Sequence, residues 1–373
     1  MEISKRARGA LYGLAIGDAL GMPTQMLSRA QIRDRWGALL AGFEPAPPGH
    51  PIAAGMPAGC VTDDTEQAVL LGRLLVTGHG TVDPGELAAA LVDWERDMAA
   101  RGSLDLLGPS TKRAVAAVLA GTPPEEAGAA GATNGAAMRI TPVGIAVGVL
   151  HPGTRLDPHP GTRLDPHPGT RLDPHPGTRL DPAVPLPPAL ESRLSTLVDQ
   201  VEMASMVTHN TGIALAGAAA VAAAVSAGVS GATIAEATAL GVQAARIASA
   251  RGQWVAGADV ASRIAWAAGL VAGRTPREAA DLIYRLVGTS LATQESVPAA
   301  FAVLAAVPAD PWQACLLAAS LGGDCDTIAA MAGAITGACH GVQAFPPEAI
   351  AAIDAQRLDL AALADDLYAL RRP

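Results

Sequence analysis

The chain is poor in aromatic and charged residues, and each shortage narrows what the protein can be. Aromatic residues make up 3% of the 373 residues, so the core must be filled by Ala, Leu, Val and Ile, with Gly allowing close approach. Ala and Leu are the best helix formers, and the composition therefore favours an all-helical protein with small residues at tight helix contacts. The length is sufficient to bury a large core.

Basic clusters with interleaved aromatics are absent, and the formal net charge is −9. This balance argues against nucleic acid as the main partner, because binding to phosphate backbones needs concentrated positive charge. The four cysteines form no CxxC pair, which argues against zinc and favours reduced thiols in a cytoplasmic protein. The apolar stretch 213–229 is mostly Ala and Gly, which predicts a buried helix rather than a membrane span, so no membrane partner is expected.

Hydrophobic periodicity predicts helices along most of the chain and no strand of useful length. The first covers residues 5–21, and a Pro- and Gly-rich loop with a short helix near 28–36 follows it. The helical pattern resumes at Thr62, and further helices are expected at 84–98, 110–121, 187–207, 211–228, 231–250, 257–271, 276–287, 296–306, 311–320, 326–341 and 355–370. No linker-like change in composition divides them, so residues 1–373 are predicted to form a single all-α domain.

Residues 151–182 interrupt this pattern with four perfect tandem copies of His-Pro-Gly-Thr-Arg-Leu-Asp-Pro. Two prolines and a glycine in each copy exclude a helix or a central strand. We interpret the segment as a tandem duplication that lengthens a surface loop, since each doubling of loop length costs only about 0.6 kcal/mol. The alternative is a metal- or partner-binding tract, because four of the eight histidines lie here.

Two short acidic segments near opposite ends of the chain carry the strongest chemical signal. They are residues 62–65 (Thr-Asp-Asp-Thr) and 322–327 (Gly-Gly-Asp-Cys-Asp-Thr), and each precedes an apolar helical run. Either one alone is explained by an N-cap and a first helical turn, where acids are favourable. Together they offer four carboxylates and flanking hydroxyls, the oxygen donors that a pair of hard cations requires. If the fold joins them, they form one site that can orient a substrate and activate water.

Five stretches, taken in order, resemble the ADP-ribosylglycohydrolase family, which includes bacterial dinitrogenase-reductase-activating glycohydrolases and eukaryotic ADP-ribosylhydrolases. They are residues 17–21 (Gly-Asp-Ala-Leu-Gly), 62–65, 134–139 (Asn-Gly-Ala-Ala-Met-Arg), 208–209 (Thr-His) and 323–327. Each is weak alone, whereas all five in this order are specific, and together they cover nearly the whole chain apart from the repeat. The resemblance implies a compact orthogonal array of helices around a central cleft that holds two Mg²⁺ ions or, alternatively, Mn²⁺.

The resemblance also implies a reaction and residues that perform it. The reaction is hydrolysis of an N- or O-glycosidic bond of an ADP-ribosyl or related ribosyl group by a metal-activated water, with an ionised carboxylate as base. The substrate would be an ADP-ribosylated protein or a small ribosyl compound, and the enzyme a monomer or small homo-oligomer. The implied metal ligands are Thr62, Asp63, Asp64, Asp324, Asp326 and Thr327. The implied substrate contacts are Asp18, Gln25, Asn134, Gly135, Ala136 and His209, and the catalytic candidates are Asp324, Asp105 and Asp64.

The sequence allows two interpretations for several residues. Asp18 either touches substrate or supports the metal ligands from behind. Residues 134–139 are expected as a Gly/Ala loop that wraps the ligand. Arg139 either binds a phosphate in a bidentate manner or forms a structural ion pair, and we favour the structural role. Glu295 either approaches the ligand or is an ordinary acid at a helix start.

Two residues depart from the family pattern. Cys325 stands where Thr is usual, and we expect this change to be tolerated. Gln25 stands where several members have a Glu implicated in catalysis or in gating the cleft. Because a neutral amide cannot act as a base, either another carboxylate, such as Asp324 or Asp105, does that work or the substrate differs. The alternatives are a hydrolase of small nucleoside-like ribosyl compounds, a two-metal phosphohydrolase of a nucleotide-sugar, and a non-catalytic ADP-ribose-binding protein.

Overall fold

Helices form almost all of the regular structure in this protein. The computed structural model describes residues 2–102, 108–150 and 186–371, and in these ranges two isolated bridges are the only β-type pairings. The α-helices are α1 (Glu2–Gly21), α2 (Arg29–Trp36), α3 (Asp63–Thr77), α4 (Pro84–Ala100), α5 (Pro109–Leu119), α6 (Pro124–Ala127), α7 (Gly135–Arg139), α8 (Thr141–Ala146), α9 (Pro188–Ser205), α10 (Gly212–Val229), α11 (Ile234–Ala248), α12 (Val260–Val271), α13 (Pro276–Leu282), α14 (Thr293–Ala306), α15 (Pro311–Ala319), α16 (Cys325–His340), α17 (Pro347–Asp354) and α18 (Leu360–Ala369). The predicted all-α class is confirmed.

Two local predictions are wrong. Residues 134–139 are not a loop, because Gly135–Arg139 forms the short helix α7, and α8 follows at once. The helix expected at 355–370 begins only at Leu360, because Arg357 and Asp359 adopt positive φ angles of 56° and 57°, and the separate helix α17 that precedes them was not predicted. A left-handed backbone cannot continue an α-helix, and the sequence shows no Gly or Pro there to signal it.

The repeat at 151–182 and the candidate Asp105 both lie outside the described residues. The predicted surface loop and the predicted catalytic role of Asp105 therefore stay predictions.

α1 and α16 pack with their backbones in direct contact. A Cβ atom added to Gly13 of α1 would lie 2.0 Å from the carbonyl oxygen of Gly333 on α16, so only glycine fits. The same close approach recurs at each turn of α1, at Gly9, Gly17 and Gly21. These small residues confirm the tight helix contacts that the composition predicts. They also bring the C-terminal end of α1 beside the N-terminal end of α16.

α10 is the described helix that is long and apolar enough to cross a membrane by length and composition. In this fold 94% of its 18 residues are buried, and it packs against α11, α16, α8 and α9. Its Ala- and Gly-rich sequence predicted a buried core helix, and that is its place in the structure.

Candidate metal and active site

The fold joins the two acidic segments. The hydroxyl of Thr327, in the first turn of α16, donates to Asp64 Oδ2 in the first turn of α3 at 3.3 Å. The hydroxyl of Thr62 lies 3.4 Å from the same oxygen. Asp63, Asp64, Thr62, Asp324, Asp326 and Thr327 are all buried. The six residues predicted as metal ligands thus lie in one buried group.

The start of α3 is held by a carboxylate from another helix. Thr62 is the N-cap residue of α3, yet its side chain makes no capping hydrogen bond. Asp18 of α1 takes that role, because it accepts hydrogen bonds from Thr62 N (2.9 Å), Thr62 Oγ1 (2.8 Å), Thr65 N (3.2 Å) and Thr65 Oγ1. Because the Thr62 hydroxyl donates its proton to Asp18, the lone pairs of its oxygen stay available to a cation.

These four bonds also bear on Asp18 itself, which is fully buried. Both carboxylate oxygens are engaged with the start of α3. The geometry matches the supporting role expected for Asp18, whereas its predicted contact with substrate stays a prediction.

The start of α16 is held mainly by backbone. Asp324 N donates to Thr289 O at 2.7 Å, and Gly323 N donates to Leu27 O at 2.9 Å. Gly323 has φ +71°, and a Cβ there would lie 2.3 Å from Thr289 O, so glycine is required. Asp324 is the N-cap residue but makes no capping hydrogen bond. Its Oδ2 instead accepts a hydrogen bond from Asn134 Nδ2, which also donates to Ser296 Oγ at 3.0 Å.

Burial raises the pKa of every carboxyl group in this cluster. The pKa of Asp18 and of Asp324 rises to about 6, mainly through loss of hydration. For Asp63, Asp64 and Asp326, burial and the charges of the neighbouring acids raise the pKa well above its usual value. No Lys or Arg in the described ranges forms an ion pair with these five acids. The five acids therefore have no directly paired basic side chain, and Arg139 acts on Asp63 only from a distance.

Two oxygens in the cluster have no hydrogen-bond partner. They are Asp64 Oδ1 and Asp326 Oδ1, one from each acidic segment, and both are buried. A buried carboxylate oxygen without a partner is costly unless a cation approaches it. The donor set of carboxylates and hydroxyls fits Mg²⁺ or Mn²⁺. However, as they stand, the described residues include no group of three or more His, Cys, Asp or Glu arranged to hold an ion. The binuclear cleft thus stays a prediction.

His209 lies in the interior as a neutral side chain. It is fully buried, its Nδ1 lies 2.7 Å from Thr208 Oγ1, and its Nε2 lies 2.9 Å from Thr133 Oγ1. Thr133 donates its hydroxyl proton to Ser110, so Nε2 carries the ring proton and donates to Thr133. Burial and two nearby arginines hold the pKa of His209 well below its usual value.

The small residues of α7 pack under this histidine. A Cβ at Gly135 would lie 2.7 Å from His209 Cε1, and Ala136 is also buried. Their predicted contacts with substrate, and that of His209, stay predictions.

Gln25 lies beside the start of α16. The next residue, Met26, donates its N–H to Gly323 O at 2.7 Å, and His50 Nε2 donates to Gln25 O at 2.9 Å. The side chain is 4% exposed, and its Nε2 has no hydrogen-bond partner. The position is adjacent to the acidic cluster, and an unpaired donor there is suited to an oxygen acceptor.

Two side chains that the sequence left open have defined partners. Arg139 is fully buried and donates to Gln67 Oε1 at 3.0 Å and to Thr208 Oγ1, which agrees with the favoured structural role, although its hydrogen-bond partners are neutral and not the acid of an ion pair. Glu295 lies in the first turn of α14, and its Oε2 accepts from Ser290 N of the preceding loop at 3.2 Å. Gln67 was missed, although its place one turn after Asp63 was a usable signal.

Comparison with solved structures defines the fold. A structure titled "ADP-ribosylglycohydrolase-related protein complex" superposes with a TM-score of 0.64 over 100% of this chain and 99% of that chain, at 24% identity. The family model described as ADP-ribosylglycohydrolase matches residues 1–156 and 179–373. The chain belongs to the ADP-ribosylglycohydrolase family, and the residues left unmatched, 157–178, lie inside the tandem repeat.

Curated relatives agree with this membership. The chain is 32% identical to the uncharacterized protein YegU of Escherichia coli (strain K12), over 94% of this chain and 92% of that protein. It is 30% identical to the ADP-ribosyl-[dinitrogen reductase] glycohydrolase of Rhodospirillum rubrum, over 39% of this chain and 46% of that enzyme. An uncharacterized protein of Archaeoglobus fulgidus is 37% identical over 38% of this chain and 43% of its own length.

Proposed function

We propose that the protein is a hydrolase that uses two divalent ions, Mg²⁺ or Mn²⁺, to cleave the N- or O-glycosidic bond of an ADP-ribosyl or related ribosyl group. The observation that carries the proposal is the pair of buried, unpartnered oxygens, Asp64 Oδ1 and Asp326 Oδ1, in a cluster of five acids without an ion-paired base in the described residues. The name of the Rhodospirillum rubrum relative supports the type of bond.

Six residues would hold the ions: Thr62, Asp63, Asp64, Asp324, Asp326 and Thr327. When bound, the ions would supply the missing positive charge, orient ribose hydroxyls and lower the pKa of water. The protein would orient these ligands through two hydrogen-bonded supports, since Asp18 fixes the start of α3 and Asn134 fixes Asp324.

We assign Asp324 as the base, with Asp64 as the alternative. Its Oδ2 is held by Asn134, which orients the carboxylate for accepting a proton. Gln25 cannot accept a proton in that role, but its buried unpaired N–H can donate to an oxygen of the substrate. Because Gln25 stands where several family members have a Glu, small nucleoside-like ribosyl compounds are the second candidate class of substrate.

The test is product identification. The purified protein is incubated with ADP-ribosylarginine, ADP-ribosylserine and a panel of nucleosides, in MgCl₂ and then in EDTA, with Asp326→Asn as the inactive control. Release of a free ribose hydroxyl in MgCl₂ but not in EDTA supports the proposal. Release of AMP indicates a phosphohydrolase instead, and ADP-ribose binding without turnover indicates a non-catalytic protein. No hydrolysis of any compound rejects the proposal.

We also propose that the protein works in a reducing compartment such as the cytoplasm, as a monomer or small homo-oligomer. All four cysteines are free, and Cys315, Cys325 and Cys339 are buried, which supports the first part. Gel filtration under reducing conditions tests the second.

A further inference from the structure

We propose that Gln67 and Arg139 are positioning residues that hold Asp63 so that one of its carboxylate oxygens faces the ions. The proposal rests on the proposed metal-dependent function. It concerns a pair of side chains that bind no substrate and act through Asp63.

The three side chains form a continuous chain of hydrogen bonds. Gln67 lies one turn after Asp63 on α3, and its Nε2 donates to Asp63 Oδ2 at 3.2 Å. Arg139, at the end of α7, donates from a terminal guanidinium nitrogen to Gln67 Oε1 at 3.0 Å. Gln67 and Arg139 are fully buried, so water does not compete for these bonds.

Arg139 determines which way the amide of Gln67 points. A guanidinium group has only donors, so Gln67 must turn its Oε1 towards Arg139. Its Nε2 then necessarily faces Asp63 and donates to Oδ2. The amide thereby lies between Arg139 and Asp63, so the guanidinium polarises the amide but does not form an ion pair with the carboxylate. One oxygen of Asp63 stays available to bind an ion. An acid at position 67 would instead pair with Arg139 and repel Asp63.

The second arm of Arg139 explains why a planar, forked cation is used. It donates to Thr208 Oγ1, whose hydroxyl lies 2.7 Å from His209 Nδ1. The chain of hydrogen bonds continues from His209 to Thr133 and then to Ser110. Arg139 is thus fixed from two sides, and a lysine ammonium cannot span both acceptors in one plane. Because Arg139 is completely buried, a phosphate contact in this state is not available to it.

Metal binding, rather than turnover, tests the proposal. The metal-free full-length protein is titrated with Mn²⁺ at 20 °C, free Mn²⁺ is followed by EPR, and thermal unfolding is recorded separately in EDTA. The variant is Gln67→Met, which keeps the side-chain length and removes the amide. The matched control is Gln243→Met on α11, because Gln243 is also a buried glutamine that accepts a hydrogen bond from an arginine, Arg246, at 3.4 Å.

We expect Gln67→Met to raise the half-saturating Mn²⁺ concentration by about 10- to 100-fold, as loss of a residue behind a metal ligand typically does. Gln243→Met should leave it unchanged. Arg139→Lys is the second variant, in case Gln67→Met does not fold, and should also weaken Mn²⁺ binding. Adding Arg139→Lys to Gln67→Met should cause no further loss, because Arg139 acts through Gln67.

Unchanged Mn²⁺ binding by Gln67→Met or Arg139→Lys would overturn the inference, even if the variant melts at a lower temperature in EDTA. A further loss in the double variant would also overturn it. If the wild-type protein itself binds no Mn²⁺, the proposed metal-dependent function fails, and that outcome is distinct because it appears before any substitution.

Discussion

Helix starts at the surface and helix starts at the acidic cluster use similar residues in different ways. At α11, Thr233 caps its own helix, and Glu236 bonds back to Thr233 in a capping box. At α3 and α16, the N-cap residues Thr62 and Asp324 make no capping hydrogen bond. The Thr62 hydroxyl bonds instead to Asp18 of α1, and the Asp324 carboxylate bonds to Asn134 beside α7. The role of an acid-rich helix start therefore depends on the hydrogen-bond partners of its side-chain oxygens, and its sequence alone does not reveal that role.

The two starts at the cluster also differ from each other. α3 is held by side chains, chiefly Asp18, whereas α16 is held by backbone hydrogen bonds to Leu27 and Thr289. A substitution at Asp18 should therefore loosen the first, while a side chain at Gly323 should displace the second.

The largest expected effect is the loss of activity in Asp326→Asn or Asp64→Asn. Each change removes a charge that the ions require, so metal-dependent hydrolysis should fall at least about 1,000-fold, as expected when a group essential for transition-state stabilisation is lost. The metal-free protein should melt at a higher temperature, because a buried unpaired charge is removed. Glu236→Gln at α11 should show neither effect. Hydrolysis assays and thermal melts in EDTA measure both, and full activity in either cluster variant would contradict the site.

A side chain at Gly323 should be the most damaging change to the fold near the cluster. The added Cβ of Gly323→Ala would meet Thr289 O at 2.3 Å, and the positive φ is unfavourable for alanine. We expect a loss of about 2–4 kcal/mol in the free energy of unfolding, measured by urea denaturation. Gly121→Ala, also at positive φ but with open space around it, is the control and should cost about 1 kcal/mol. An equal loss in both variants would reject the contact with Thr289.

The stability of the metal-free protein should fall as pH rises, and bound metal should offset that fall. Folding raises the pKa of Asp18 and Asp324 to about 6, so the metal-free protein keeps its stability below about pH 4 and loses it as pH rises through 6. The loss should be on the order of 3 kcal/mol for each of these two groups. MgCl₂ should restore stability at pH 8 and have little effect at pH 4.5, as measured by thermal melts. An identical Mg²⁺ effect at both pH values would contradict the account.

The smallest stability effect is expected at the surface start. Thr233→Ala removes the cap of α11 and should cost about 1 kcal/mol, with hydrolysis and Mn²⁺ binding unchanged. Thermal unfolding and the activity assay check this. A loss of Mn²⁺ binding would show that the two kinds of helix start are not independent.

Much of this fold was predictable, because amphipathic periodicity and Ala-rich composition specify helices locally. The all-α class and the buried position of α10 followed from those patterns. The late start of α18 at Leu360 did not, because Arg357 and Asp359 adopt left-handed conformations without a glycine or proline to signal them. Short helices such as α7 were also not predicted, because five residues are too few to show a helical hydrophobic period.

The candidate site was predictable in its residue types but not in its supports. The acidic segments and the family resemblance identified the expected ligand positions, and the fold brings those residues together. The roles of Gln67 and Thr289 were hidden, because a side-chain amide or a backbone carbonyl acquires its function only from a tertiary contact. The neutral partners of Arg139 were hidden for the same reason.

The central claim is that two segments from opposite ends of the chain form one two-ion site. The most direct measurement is an anomalous difference map from a crystal of the protein soaked with Mn²⁺. The account predicts two peaks, each about 2.0–2.3 Å from its ligand oxygens and together contacting both Asp64 and Asp326. A map without peaks at the cluster, or with peaks that contact only one of the two segments, would contradict it.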